Sequence, residues 1–186
     1  MTVRKAIVTA ATLILALTAP ILSAHAQDQS ANVSVRVADA GQPAPDFSGI
    51  SNWFNSPALS MSGLRGKVVL VDFWTYGCIN CVHTLPHVTQ LYAKYKDRGL
   101  VIVGVHTPEF PFEHSASNVQ AALKRHGITY PVAQDNESAT WNAYSNRYWP
   151  AQYIVDQSGK IVFTHEGEGA YEDIDRTIGK LLNANS

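Results

Sequence analysis

Residues 67–74, KVVLVDFW, are the stretch that most constrains the fold. Apolar residues, several of them β-branched, run almost without interruption, which is typical of a strand buried on both faces of a sheet. A sheet covered on both faces needs further layers packed against it. The stretch therefore predicts a strand near the centre of an α/β domain.

The rest of the chain alternates between strand-like and helix-like segments. After 67–74, apolar residues recur at helical spacing, and Gly99 is placed to end that helix. Residues 100–105, LVIVGV, predict a second buried strand. The remaining predicted elements are helices over 115–126, 137–144 and 171–182, and strands over 129–133, 151–155 and 160–164. This order predicts a mixed sheet flanked by helices.

The N-terminus has the three parts of a secretory signal peptide. Arg4 and Lys5 follow the initiator, an apolar run comes next, and residues 24–26 form the small-residue pattern Ala-His-Ala. We predict cleavage after Ala26. An uncleaved membrane anchor is the alternative, although Pro20 makes the run a poor spanning helix.

This cleavage divides the chain into three parts: a signal peptide at 1–26, a flexible polar segment at 27–42 and a domain at 43–186. The mature protein is expected to be periplasmic or otherwise exported, where disulfides persist. It would carry 12 basic and 15 acidic residues, a formal charge of −3. Its sequence has no Lys/Arg cluster, so composition gives no indication of a nucleic-acid partner.

Two cysteines, Cys78 and Cys81, are the only ones in the chain. Haem attachment would need a histidine directly after Cys81, where Val82 stands. Structural zinc would need two further ligands, and a disulfide closing so short a loop would add little stability. His83 and His87 lie four residues apart on the same predicted helix, so copper binding with the cysteines stays an alternative.

A redox pair fits the position of the cysteines best. Cys78 comes just after a buried strand, at the predicted start of a helix, where free N–H groups and the helix dipole stabilise a thiolate. A thiolate is the attacking species in disulfide exchange, and Cys81, one turn later, is placed to resolve the mixed disulfide. We therefore predict a redox-active Cys78–Cys81 disulfide, with no metal or organic cofactor.

Two polar or constrained positions lie near the pair in the predicted fold. Asp72 interrupts an apolar strand six residues before Cys78, where burial should raise its pKa and fit it to exchange a proton with Cys81. Trp149-Pro150 precedes a strand, and a cis-proline loop there would leave the Trp149 backbone to pair with an extended substrate. Pro86 either kinks the helix or marks a later helix start.

Four segments, in order along the chain, carry a family resemblance. They are VDFWTYGCINC at 71–81, GVHTPEF at 104–110, YPV at 130–132 and RYWPAQYIVD at 147–156. Together they resemble the TlpA-like redoxins, and most of all the DipZ-like branch of these thiol–disulfide oxidoreductases. The likeness covers about residues 43–182. It implies a thioredoxin-like fold with an N-terminal extension and an inserted helix–strand unit at 115–133.

The resemblance also implies roles for individual residues. Cys78 would be the nucleophile, Cys81 the resolving thiol and Pro150 a cis-proline. Trp74 and Trp149 would contribute to substrate binding, and residues 107–110 would flank the mouth of the site. DipZ-like domains are often fused to a membrane electron-transfer domain, so a separate membrane-bound thiol reductant is the expected electron donor here.

The resulting prediction is an exported protein-disulfide oxidoreductase that reduces protein disulfides. A copper-binding metallochaperone on the same fold is an alternative, with His165 as a candidate extra ligand, although such proteins usually space their cysteines by three residues. A thiol peroxidase is the third reading. It usually needs an arginine beside the reactive cysteine, and no arginine is close to Cys78 in the sequence.

Overall fold

A computed structural model describes residues 41–184. The predicted signal peptide at 1–26 lies outside this part, as do residues 27–40 of the predicted flexible segment. The described elements in chain order are β1 Asn52–Phe54, β2 Val68–Trp74, α1 Ile79–Tyr95, β3 Leu100–His106, α2 Ala116–Arg125, β4 Val132–Gln134, α3 Ala139–Ala143, β5 Ala151–Val155, β6 Ile161–Glu166 and α4 Tyr171–Asn183. Short 3₁₀ segments occupy Lys96–Arg98 and Pro111–His114.

The six strands found in residues 41–184 form one mixed sheet in the order β1-β4-β3-β2-β5-β6. β2, β3 and β4 are parallel, while β5 runs antiparallel to both β2 and β6. The two seven-residue strands, β2 and β3, are at the centre, as their long apolar runs predict. The prediction of a mixed α/β sheet is therefore confirmed.

Alternation along β2 divides the core between the two faces of the sheet. Val68, Leu70 and Trp74 pack with side chains of α1 and α4, whereas Val69 and Phe73 pack in a second cluster on the other face. Each fully buried apolar side chain of this kind contributes about 1.5–3 kcal/mol. Because successive strand residues point to opposite faces, Asp72 lies on the same face as Leu70 and Trp74, towards α1.

The helix after β2 runs without a break through Pro86, from Ile79 to Tyr95. The alternative in which the helix starts after Pro86 is therefore wrong. The chain then passes through one 3₁₀ turn to Gly99, whose φ of 103° is the left-handed conformation that glycine adopts most readily. Gly99 thus ends this helical segment, as predicted.

The topology brings three chain segments to one edge of the sheet. β2 and β3 are parallel, so their carboxyl ends lie side by side, with Trp74 paired to His106. β5 runs the other way, and its first residue, Ala151, pairs with Phe73. The loop before Cys78, the segment after His106 and the Trp149-Pro150 turn therefore meet at this edge.

Two features differ from the sequence prediction. Residues 52–54 form an edge strand, β1, which pairs antiparallel with β4, where the sequence predicts no strand. The inserted unit is present as α2 and β4, with the strand shifted to 132–134.

At the start of the described chain, the Gly41 N–H donates a hydrogen bond to the Ile161 carbonyl at 2.7 Å, so this end of the described chain lies beside β6. Within residues 41–184, no helix has the length and apolarity to cross a bilayer.

Candidate active site

Cys78 is the N-cap residue of α1. Its side chain is half-buried, and its Sγ donates a weak hydrogen bond to the Trp149 carbonyl at 3.9 Å. The first N–H groups of a helix have no partner within the helix, and the helix dipole favours negative charge at this end. A thiolate that forms at Cys78 is therefore in a stabilising position and within reach of a sulfur that arrives from solvent.

Cys81 is one helical turn further on and only 1% exposed. Burial is the main reason that its pKa is raised. A backbone hydrogen bond from Thr75 works in the opposite direction, and interactions with Cys78 and Asp72 raise the pKa further. Cys81 consequently favours its thiol form, and its reaction needs a group that accepts the proton.

Asp72 is a buried titratable group on the strand β2. It is 1% exposed, and burial raises its pKa to about 7, while a hydrogen bond from Gln152 opposes the rise. Gln152 Nε2 donates to Asp72 Oδ1 at 3.2 Å, and Asp72 Oδ2 has no hydrogen-bond partner among residues 41–184. The carboxyl lies on the α1 face of β2 and interacts electrostatically with Cys81. It can therefore hold or release a proton near neutral pH.

The Trp149-Pro150 peptide bond is cis. Trp149 Nε1 donates to the Thr107 carbonyl at 3.0 Å, and its ring packs on Trp141 with centroids 4.2 Å apart. The Trp149 carbonyl is the group that accepts from Cys78. This turn therefore lies directly beside the half-buried sulfur, whereas Pro150 itself is buried.

Trp74 requires a correction. Its side chain is 0% exposed and packs in the core, with its ring edge-on to His106 at 5.2 Å. A side chain without exposed surface cannot contact a substrate that approaches from solvent. The predicted direct role of Trp74 in substrate binding is therefore wrong for this arrangement, and its position is that of a core residue beneath the site.

The histidines predicted as alternative copper ligands have other contacts. His83 Nδ1 lies 3.2 Å from Glu168 Oε2, and the His87 ring stacks on Tyr171 at 3.6 Å. Both contacts join α1 to the region around the start of α4. His165 is buried on β6 at 1% exposure. In the part of the chain from 41 to 184, no three His, Cys, Asp or Glu side chains are grouped as metal ligands.

Two residues of the site are absent from the sequence prediction. Gln152 is the partner of Asp72, and Glu113 is a fully buried carboxylate that accepts from the Gly77 N–H at 2.8 Å. Gln152 had a signal, since a polar residue inside AQYIV is as unusual as Asp72 inside VVLVDFW. The sequence contains no such signal for Glu113, because its hydrogen-bond partner Gly77 is 36 residues away in the chain.

Comparisons with known proteins agree with this arrangement. A family model described as the AhpC/TSA family matches residues 40–164. Protein DipZ of Mycobacterium tuberculosis is 48% identical over 143 residues, which are 75% of this chain and 21% of DipZ. The chain thus spans about a fifth of the length of that relative.

Two further relatives match over nearly their full length. Thiol-disulfide oxidoreductase YkuV of Bacillus subtilis is 27% identical over 141 residues, 76% of this chain and 95% of YkuV. The crystal structure of a thiol-disulfide isomerase from Corynebacterium glutamicum superposes with a TM-score of 0.67 at 25% identity. The superposition covers 75% of this chain and 96% of the isomerase chain. The family match and the fold lead to one conclusion: the chain belongs to the AhpC/TSA family and has a thioredoxin-like fold.

Proposed function

We propose that this thiol–disulfide oxidoreductase is exported and reduces protein disulfides with the dithiol of Cys78 and Cys81. One observation supports this proposal above the others. A half-buried cysteine at the N-cap of α1 lies beside the Trp149 carbonyl, and a buried cysteine follows one turn later. That arrangement provides an accessible nucleophile and a sheltered second thiol.

In the first step, the Cys78 thiolate attacks one sulfur of a client disulfide. The Cys78–client bond forms, the client S–S bond breaks, and the other client sulfur leaves as a thiolate that takes up a proton. The electron pair of the broken bond goes with this leaving sulfur. The product is a mixed disulfide at the surface of the protein.

In the second step, Cys81 loses its proton and attacks Cys78 Sγ. The Cys78–Cys81 bond forms, and the client's second sulfur leaves with the electron pair of the Cys78–client bond and takes up a proton. The client has then gained two electrons and two protons, and the protein carries a disulfide. Because the electron pair passes directly from the two cysteine sulfurs to the client sulfurs, the proposed reaction requires neither a metal nor an organic cofactor.

Asp72 is the proposed proton acceptor for Cys81, directly or through a water molecule. Burial raises the pKa of the Cys81 thiol, so ionisation before the attack needs a nearby base. Burial also brings the pKa of Asp72 to about 7, which makes the carboxyl a stronger base than an exposed aspartate.

Client binding is proposed to use the backbone beside the site. An extended client segment would run along the Trp149-Pro150 turn and pair with the Trp149 main chain, as in strand addition. After each cycle the pair must be reduced again. An exported compartment lacks the cytosolic thiol systems, so we assign this reduction to a membrane-bound thiol protein that carries electrons across the membrane.

A single-turnover experiment tests the proposed reaction. The fully reduced protein is mixed with excess peptide disulfide, and the released peptide thiols and the mass of the protein are followed together. We expect two peptide thiols for each protein and a Cys78–Cys81 disulfide in the product, because the dithiol donates one electron pair. A protein that releases no thiol, or that stays reduced, would contradict the proposal.

The proposed export has a separate test. Expressed at full length, the protein should be recovered outside the cytoplasm with Gln27 as its first residue, because Ala26 ends the predicted cleavage pattern. Intact-mass measurement of the exported fraction checks this. A full-length chain found in the membrane would instead support the uncleaved anchor.

A further inference from the structure

A buried carboxylate connects the loop before Cys78 to the segment that follows β3. Glu113 lies in the 3₁₀ segment Pro111–His114 and is 0% exposed. Its Oε1 accepts from the Gly77 N–H at 2.8 Å. Its Oε2 accepts from the N–H groups of Glu109 at 2.7 Å and Phe110 at 2.9 Å. Both oxygens are therefore used by backbone donors on two different segments.

The hydrogen bonds also determine the charge of this group. Burial by itself would raise the pKa of Glu113, but bonds from Thr75 and from the N–H groups of Phe110, Glu109 and Gly77 outweigh it and lower the pKa. Glu113 is thus held as a carboxylate, the form in which both oxygens accept. An amide in its place would have only one accepting end.

The contact leaves no space for a Cβ at position 77 unless Glu113 shifts. A Cβ built on Gly77 would lie 2.5 Å from Glu113 Oε1 and 3.6 Å from Phe110 Cδ2. The first distance is too short for any real Cβ contact. The Glu113 carboxylate and the Phe110 ring therefore pack directly against Gly77, the residue that precedes Cys78.

The segment held in this way presents an aromatic pair to solvent. Phe110 and Phe112 are 42% and 56% exposed, and their rings stack with centroids 5.6 Å apart and planes 5° apart. Tyr76 OH donates to the Phe112 carbonyl at 2.9 Å, which gives a second link to the same loop. The four exposed large apolar side chains in the described chain all lie in segments that meet at Cys78: Ile79, Phe110, Phe112 and Tyr148.

We infer that Glu113 is a positioning residue that fixes the Phe110–Phe112 pair beside Cys78, and that this pair selects client disulfides whose cysteines have apolar neighbours. The inference rests on the proposed function, because it names the substrate class of the same site. A client segment with aromatic or leucine side chains next to its cysteine buries them against the pair. A small polar disulfide has no side chain to place there.

Steady-state reduction of three probes tests the inference. The first two are synthetic peptide disulfides, one with phenylalanine and leucine beside each cysteine and one with serine in those places. The third is 2-hydroxyethyl disulfide, and dithiothreitol recycles the protein. For Glu113→Gln we expect KM for the apolar peptide to rise about tenfold, with kcat changed less than about twofold. KM for the two polar probes should stay near that of the wild type.

The matched control is Glu172→Gln. It removes the same charge from an exposed side chain on α4, outside the three segments that meet beside Cys78. All three KM values should stay within about twofold of the wild type. Phe112→Ser should reproduce the effect of Glu113→Gln on the apolar peptide alone, because it removes half of the aromatic pair and leaves the carboxylate in place.

A second variant tests the inference if the Glu113→Gln protein does not fold. Gly77→Ala keeps the carboxylate but places a methyl group against Oε1, so it should raise KM for the apolar peptide in the same selective way. The inference would be overturned if KM rose equally for all three probes. It would also be overturned if Glu113→Gln gave the same KM values as Glu172→Gln or, where Glu113→Gln does not fold, if Gly77→Ala did. A wild-type protein that reduced none of the probes would instead overturn the proposed function.

Discussion

Replacing Cys78 with serine is expected to abolish disulfide exchange, whereas replacing Cys81 with serine should stop the reaction at the mixed disulfide. Cys78 is the half-buried sulfur at the start of α1, so its loss removes the attacking group. The rate should fall below about one thousandth of the wild-type rate. Cys81 is 1% exposed and, in the proposed mechanism, acts only after the client is bound to Cys78.

Intact-mass measurement after mixing with a peptide disulfide distinguishes the two variants. Cys81→Ser should gain the mass of one peptide, with the adduct mapped to Cys78, and dithiothreitol should remove it. Cys78→Ser should gain no peptide, since the remaining cysteine is buried. A Cys81→Ser protein with full multiple-turnover activity would contradict the two-thiol mechanism, as would an adduct found first on Cys81 in the wild type.

The Asp72→Asn variant is expected to be more stable than the wild type, and by a margin that grows with pH. Burial raises the pKa of Asp72 from 3.8 in the unfolded chain to about 7 in the folded protein. Between these values the folded state holds a proton that the unfolded state has released, so wild-type stability falls as pH rises from about 4 to about 7. Asparagine does not titrate, and its amide oxygen can still accept the hydrogen bond from Gln152.

Denaturant unfolding at pH 5 and pH 8.5 measures this difference. The advantage of Asp72→Asn over the wild type should be larger at pH 8.5 by about 2–3 kcal/mol, from 1.36 kcal/mol for each pKa unit in the titrating interval. Asp97→Asn is the control, because Asp97 is exposed and its replacement should change stability by less than about 0.5 kcal/mol. An equal advantage at both pH values would show that Asp72 does not titrate in this range.

The same variant should slow the second step of exchange. Without the carboxyl, Cys81 must release its proton to solvent, so decay of the mixed disulfide should be slower by about 10²-fold. The first step should keep its rate, since Cys78 Sγ is partly exposed and its attack does not use the Asp72 carboxyl. Rapid acid quenching followed by mass measurement separates the two steps. An unchanged decay rate would remove Asp72 from the mechanism while leaving the two cysteines in place.

Local patterns in the sequence were sufficient to predict the framework of the domain. The uninterrupted apolar runs at 67–74 and 100–105 correspond to the two central strands, and Gly99 ends the helix between them. Cys78 is at the helix start because that helix directly follows β2. These features depend on side-chain periodicity and on nearest neighbours in the chain, and both are readable in one sequence.

Features that depend on long-range contacts were missed or misassigned. Glu113 reaches Gly77 across 36 residues, and the strand at 52–54 forms only because β4 offers it an edge. The resemblance implies that Trp74 contributes to substrate binding, yet strand alternation turns its ring into the core although Cys78 is only four residues away. Proximity along the chain does not indicate the face on which a strand residue lies.

The reduction potential of the Cys78–Cys81 couple tests the central claim most directly. The protein is equilibrated in a series of glutathione redox buffers, and the fraction carrying an internal disulfide is read from alkylation and mass. We expect a reversible two-electron transition at or below about −250 mV, the range of a dithiol that donates electrons to client disulfides. A midpoint near about −120 mV would identify an oxidant. A pair that never forms the bond would contradict the redox assignment itself.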